Sequence, residues 1–354
     1  MTTIDQVTLI GPNDVASLPY HMRFSARNIP FLRKTFYIIP GDTAFRQRLE
    51  TVCAGIQKEF FEKSIFVPEE TLLAPSVCEN KWIYQQLVKL SAYRLNGLSE
   101  MFLFTDIDTL CLRPVTFDEL VVRNDYPYWV SHYQGEQEFV APDFNAIQFV
   151  EDIPAIDGQQ LSWLIGFSWS SLNLLGLERM QCMSAVNACV IWSQTVLKAL
   201  IAFIEKRSGM PFHDAVTACF RAFIAAHKDH FYRYPGYRQV MMTYYPPETF
   251  TRCTDDEETL YRTLRIGFSE WQLYTYFLSM CRQHPYVIHA QPPNKNEWIG
   301  EFNSELLSLE VLTNVLKQAD QGGKRCRFVN FYPNITENIR HFLDSDTLVC
   351  VRGE

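Results

Sequence analysis

Basic charge is what this 354-residue chain has too little of. Its 32 Lys and Arg stand against 40 Asp and Glu, for a formal charge of −8 at pH 7. A nucleic-acid partner would need a basic footprint, so that class is not expected. No apolar run reaches membrane-spanning length, and the start, Met1-Thr2-Thr3-Ile4-Asp5, carries neither the basic nor the apolar stretch of a leader. The ten cysteines, from Cys53 to Cys350, include no Cys-x-x-Cys and no zinc-type pairing. Several, such as Cys111 and Cys189, stand in apolar runs where a thiol packs as a small hydrophobe. These absences predict a reducing, cytoplasmic setting with no disulfide framework and at most a peripheral membrane contact. There the Asn334-Ile335-Thr336 sequon has no consequence. Internal repeats are lacking too. So is a Gly-rich basic phosphate loop: Gly11-Pro12-Asn13-Asp14 is not one, which counts against a nucleotidyltransferase.

What is present is an ordinary globular composition, 47% hydrophobic and 14% aromatic, long enough for one large α/β domain with an appendage. Apolar runs at Val7-Thr8-Leu9-Ile10, Phe36-Tyr37-Ile38-Ile39 and Ser64-Ile65-Phe66-Val67-Pro68 read as strands, with helical patterns between them. Alternation of this kind predicts βαβ units and a mixed, mainly parallel sheet flanked by helices. The clearest helix is 81–96, closed by Gly97, with Ile83, Leu87 and Leu90 on one stripe and Gln85, Gln86, Lys89 and Tyr93 towards a flank. By spacing alone, Gln86 and Lys89 read as a solvated face. Residues beyond about 304 read as an α-rich tail without assigned chemistry.

The most informative stretch is Met101-Phe102-Leu103-Phe104-Thr105-Asp106-Ile107-Asp108. A buried strand ends abruptly in two carboxylates, at the sheet edge where α/β proteins bind ligands. Where the strand gives way to a turn, both side chains can converge on one hard cation. Mg²⁺ or Mn²⁺ held this way completes its shell with water and phosphate oxygens. An isolated Asp-x-Asp is more often just a solvated loop, so its neighbours decide the reading. Two later stretches matter. Ser184-Ala185-Val186-Asn187-Ala188-Cys189-Val190-Ile191-Trp192 offers an amide that both donates and accepts at a strand entry. Gly267-Phe268-Ser269-Glu270-Trp271 puts a good N-cap before a carboxylate in the first turn of a helix. A short strand, Tyr286-Val287-Ile288, then ends in His289.

Together, Trp82-x-x-Gln85-Gln86-Leu87-x-Lys89-Leu90, the Asp-x-Asp strand and Leu112-Arg113-Pro114-Val115 resemble the donor half of GT-A glycosyltransferases. The resemblance is nearest to a group linked to cell-surface and capsular polysaccharide synthesis. It spans roughly residues 80–290, with Cys189 standing where that superfamily usually has glycine. It implies a single catalytic domain over 1–300 (donor half to about 115, acceptor half beyond), followed by an extension over 301–354. It implies a metal-dependent hexosyl- or pentosyltransferase that takes a nucleotide-sugar and a glycan acceptor, with Mn²⁺ or Mg²⁺ as cofactor. Asp106, Asp108 and His289 would hold the metal. Asp106, Asn187, Lys89, Gln86, Thr8 and Gly11 would meet the donor. Glu270 would be the base of an inverting reaction. A retaining transferase of the same fold and a non-catalytic carbohydrate-binding relative are the alternatives.

Overall fold

The first strand of the chain, β1 (Ile4–Leu9), occupies the centre of the largest sheet. It pairs in parallel with β2 (Leu32–Ile39) on one side and β4 (Met101–Thr105) on the other; β3 (Ser64–Pro68) extends the sheet beyond β2. The far edge is β6 (Cys189–Ser193), antiparallel to β4. The five strands therefore run β6-β4-β1-β2-β3, a mixed and mainly parallel sheet flanked by helices. The computed structural model describes residues 3–117, 121–122, 126–127, 136–140, 167, 169–177, 179–182, 189–231, 257–263, 267–280, 299–303, 328–332 and 337–344.

Helix α1 (Leu18–Asn28) covers one face, where Leu18 and Met22 pack with Tyr37, Ile39 and Phe45. Phe45 belongs to α2 (Thr43–Cys53), whose cap is Asp42: its carboxylate accepts from the amides of Ala44 and Phe45. The opposite face is covered by α3 (Lys81–Leu90), α4 (Gln194–Ser208) and α7 (Glu270–Met280). Between α4 and α7 come α5 (Phe212–Phe231) and α6 (Glu257–Thr263). Ile83 and Leu87 of α3, Val196 of α4 and Tyr274 of α7 share one core with Val7, Phe36, Phe102 and Phe104. The sequence expectation of a helix over 81–96 is met by an α-helix that stops at Leu90 and continues as a 3₁₀ turn, Ser91–Arg94. Ser91 Oγ donates to the Leu87 carbonyl and competes with the backbone there. Gly97, at φ +76°, then reverses the chain in a conformation that side chains resist.

After β4 the chain turns through 106–108 into β5 (Thr109–Cys111). This strand opens a second sheet, β7-β8-β5, with β7 (Ile299–Asn303) and β8 (Phe328–Tyr332) parallel to each other and β8 antiparallel to β5. The tail thus supplies strands as well as its one described helix, α8 (Glu337–Asp344). Helical periodicity had overshadowed the short run Phe328-Val329-Asn330-Phe331-Tyr332, whose Phe328, Val329 and Phe331 are buried. Helix α8 docks on α1 through Arg23 and Tyr20, both of which bond to Asp344. Among the described residues no helix is long and apolar enough to cross a membrane.

Candidate active site at the sheet edge

Strand β4 alternates, so Phe102, Phe104 and then Asp106 turn toward α3 and α7 while Thr105 turns toward α1. Asp106 leaves the strand at its C-terminal end, and the Thr109 amide donates to its carbonyl (3.1 Å) to close the turn. The tail fixes the other carboxylate from behind, since the Phe331 amide of β8 donates to the Asp108 carbonyl (3.1 Å). Neither contact uses the carboxylates themselves.

Lys89, in the last turn of α3, reaches across to this edge. Its Nζ donates to Glu270 Oε1 at 2.8 Å and to Asp106 Oδ1 at 3.2 Å. The ammonium also stands over the Trp271 ring at 4.3 Å and the Phe104 ring at 5.6 Å. Gln86, one turn earlier on α3, points its amide nitrogen at the Glu270 carboxylate, donating to Oε1 at 2.7 Å and contacting Oε2 as well. Glu270 and Lys89 are buried, with side chains 1% and 8% exposed, whereas Asp106 is 32% exposed. Gly267 makes this placement possible: at φ +99° it passes so close to Phe220 and Phe223 that a Cβ would come within 2.8 Å of both rings. Ser269 then caps α7, its Oγ accepting from the Gln272 amide, and Glu270 follows in the first turn.

Burial and neighbouring charge both act on these groups. Burial raises the Asp108 carboxyl well above its ordinary range, and the charges of Asp106 and Asp14 add to the rise against the opposing pull of Lys89. Asp14 is raised in the same way, by burial first and by Asp106 after it, although the Gly11 amide donates to it at 2.8 Å. Glu270 is raised by burial despite its ion pair with Lys89. Burial alone would lower the Lys89 ammonium, but Asp106 and Glu270 outweigh it and hold the proton more tightly. Among the described residues, Lys89 is in contact with Glu270 and Asp106, while the charges of Asp106, Asp108 and Asp14 act on one another beside it.

Of the residues expected from sequence, Asp106, Asp108, Lys89, Gln86 and Glu270 come together here, and Gly11 closes the turn that carries Asp14 beside them. The Thr8 side chain goes elsewhere: fully buried on the α1 face, its hydroxyl bonds to Thr105 at 3.0 Å. Asn187 and His289 lie outside the described residues. Among the described residues, no group of three or more His, Cys, Asp or Glu side chains is arranged to hold a metal ion. The sequence reading passed over Asp14 and Trp271. A signal for Asp14 existed, because its turn ends a strand parallel to β4 and so opens on the same edge. The indole N–H of Trp271 is buried without a hydrogen-bond partner among the described residues.

Residues 27–296 match the profile of a family of unknown function, DUF6492. No curated protein matches the chain. Among solved structures, the galactosyltransferase LgtC, in complex with donor and acceptor sugar analogues, aligns at 12% identity over 60% of this chain and 69% of its own, with a TM-score of 0.31. The apo form of mouse xyloside xylosyltransferase 1 aligns at 10% identity over 94% of this chain and 98% of its own, with a TM-score of 0.35. The bifunctional glycosyltransferase WbbM, also apo, aligns at 10% identity over the whole of this chain and 52% of its own, with a TM-score of 0.38.

Proposed function

This chain is a member of the DUF6492 family, and we propose that it is a metal-dependent glycosyltransferase of GT-A type. It would move a sugar from a nucleotide-sugar donor to a hydroxyl of a glycan acceptor. The observation that carries the reading is the carboxylate pair Asp106 and Asp108, which leaves an inner strand at the ligand-binding edge of a mainly parallel sheet. An all-oxygen pair suits Mg²⁺ or Mn²⁺, which protein sites typically hold through one or two carboxylates, with waters and substrate phosphates completing the shell. When bound, the cation supplies charge neutralisation of the leaving diphosphate. The Asp108 and Asp14 carboxyls, raised first by burial and then by neighbouring carboxylates, support the reading, because a cation at this edge would favour their charged forms.

The chain's own groups divide the remaining work. Asp106 and Asp108 anchor the metal and so orient the diphosphate. Gly11 borders the donor with its backbone at the same edge. Asn187 and His289 enter from their order in the chain, as donor-sugar contact and third metal ligand. Lys89 and Gln86 act from behind the carboxylates rather than from the open side. Glu270, expected as the base, presents no oxygen to an acceptor, since Gln86 contacts both of its oxygens, Lys89 also takes Oε1, and the side chain is 1% exposed. The proposal gives it no proton transfer.

The test is calorimetric titration of a panel of nucleotide-sugars, with Mn²⁺ and again with excess chelator. One donor should bind with Mn²⁺ and not with chelator. Asp108→Ala should weaken that binding by about a hundredfold, ~2.7 kcal/mol, with cooperative unfolding retained. Equal binding in chelator, or full affinity in the variant, would overturn the metal assignment.

A further inference from the structure

Glu270 and Lys89 form the most deeply buried ion pair at this edge, and the distances show how the ammonium is shared. The shorter contact, 2.8 Å, goes to Glu270, which is fully enclosed; the longer, 3.2 Å, goes to Asp106, which is partly open. An ammonium has three donors, and two of them are spent on these carboxylates. Gln86 fixes the Glu270 carboxylate on one side, and the Trp271 ring lies across the ammonium on the other. If Lys89 swings out, Glu270 loses its buried ion-pair partner, and if Glu270 swings out, the ammonium is left to Asp106.

We infer that Glu270 is a positioning residue: as the buried counter-ion of Lys89, it holds the ammonium back so that Asp106 stays available to a divalent cation. The inference rests on the metal-dependent reading of the Asp-x-Asp pair and reassigns Glu270 within it. The logic is a competition. With Glu270 charged, Lys89 is already neutralised and only steadies one oxygen of Asp106. With that charge removed, the desolvated ammonium keeps Asp106 as its one carboxylate in contact among the described residues. The pair closes, and an incoming cation must then displace a buried lysine. Removing the ammonium as well ends the competition.

That sign reversal is a signature that a merely structural role would not give. The experiment titrates Mn²⁺ alone into the full chain, followed by calorimetry and by the electron paramagnetic resonance signal of the free ion, with a thermal melt for each variant. Wild type should bind, Glu270→Gln should bind about tenfold more weakly, and the double variant Lys89→Met/Glu270→Gln should recover to within about threefold of wild type. Glu270→Asp, which keeps the charge one methylene shorter, should fall between wild type and Glu270→Gln. If Glu270→Gln fails to fold, Glu270→Asp and the double variant decide instead: binding weaker than wild type in Glu270→Asp with near-wild-type binding in the double variant supports the role, and wild-type affinity in Glu270→Asp overturns it. Wild-type affinity in Glu270→Gln, or a double variant as weak as the single, would overturn the positioning role while leaving the metal reading in place. A wild-type chain that binds no Mn²⁺ would overturn both.

Discussion

Thr105 and Asp106 are neighbours in the chain and face opposite sides of one sheet, each into a cluster of polar side chains. On the α1 side the cluster is neutral and closed. Thr105 Oγ1 meets Gln6 Nε2 at 2.8 Å, Thr8 Oγ1 at 3.0 Å and His21 Nε2 at 3.1 Å, while His21 Nδ1 meets the Tyr37 hydroxyl at 3.0 Å. Burial holds the His21 pKa down to about 3, so the ring stays uncharged. On the α3 side the cluster is charged, with Lys89 bonded to Glu270 and Asp106 and with Asp108 and Asp14 beside Asp106. Every member of the neutral cluster named here satisfies another, which fixes register and needs nothing from outside. In the charged cluster burial and like charge together raise Asp108 and Asp14, and it sits where ligands of such sheets bind. The contrast separates a polar group kept for folding from one kept for a partner.

The largest effect expected comes from breaking the charged cluster on one side only. Lys89→Leu leaves Glu270 buried without its ion-pair partner, a loss of about 3–5 kcal/mol by urea unfolding. The double variant with Glu270→Gln should lose much less. Equal losses would mean that the pair is not energetically linked. A somewhat smaller effect is expected from the neutral side. His21→Leu removes a partner from Thr105 and from Tyr37, at a cost of about 2–3 kcal/mol, with Mn²⁺ affinity untouched. It should also change the acid limb. A folded-state pKa near 3, against an ordinary 6.5, gives stability that is present above 6.5 and lost as pH falls from there toward 3. Wild type should lose up to about 1.4 kcal/mol per pH unit from this group across that window, and the variant should lack that slope. Identical slopes would show that His21 is not held neutral.

These clusters were unequally legible in the sequence. The edge itself could be read, because an apolar run that stops at two carboxylates has few meanings, and the strand and its turn fall where the run predicts. The Ser269 cap and the placement of Glu270 at the head of its helix were also readable from local chemistry. The burial of Lys89 and Gln86 was not, since spacing on α3 put them on a solvated flank. Their partner lies on α7, 181 residues from Lys89, and a contact at that separation leaves no local period. The same holds for β8, which pairs with β5 from the far end of the chain. The neutral cluster was hidden for another reason. Gln6 and Thr8 interrupt the apolar face of β1 and look like exposed positions until α1 supplies His21 to cover them.

The smallest predicted effect is the one that tests whether the charged cluster is strained for its ligand. The Asp108 carboxyl is raised above its ordinary 3.8. A group with a raised folded-state value contributes stability that is full below the unfolded value and lost as pH climbs through the folded one. Asp108→Asn mimics the protonated form at every pH. Variant and wild type should therefore match below about pH 3.8, and the variant should become the more stable at neutral pH. Mn²⁺ should reverse that order, because a cation at about a hundred times its dissociation constant adds ~2.7 kcal/mol to a chain that binds it and little to one that does not. Urea unfolding at both pH values, with and without Mn²⁺, gives the four numbers needed. An asparagine variant less stable than wild type at neutral pH without metal would mean that the carboxylates are already satisfied by the protein. The two faces of β4 would then differ in charge but not in purpose.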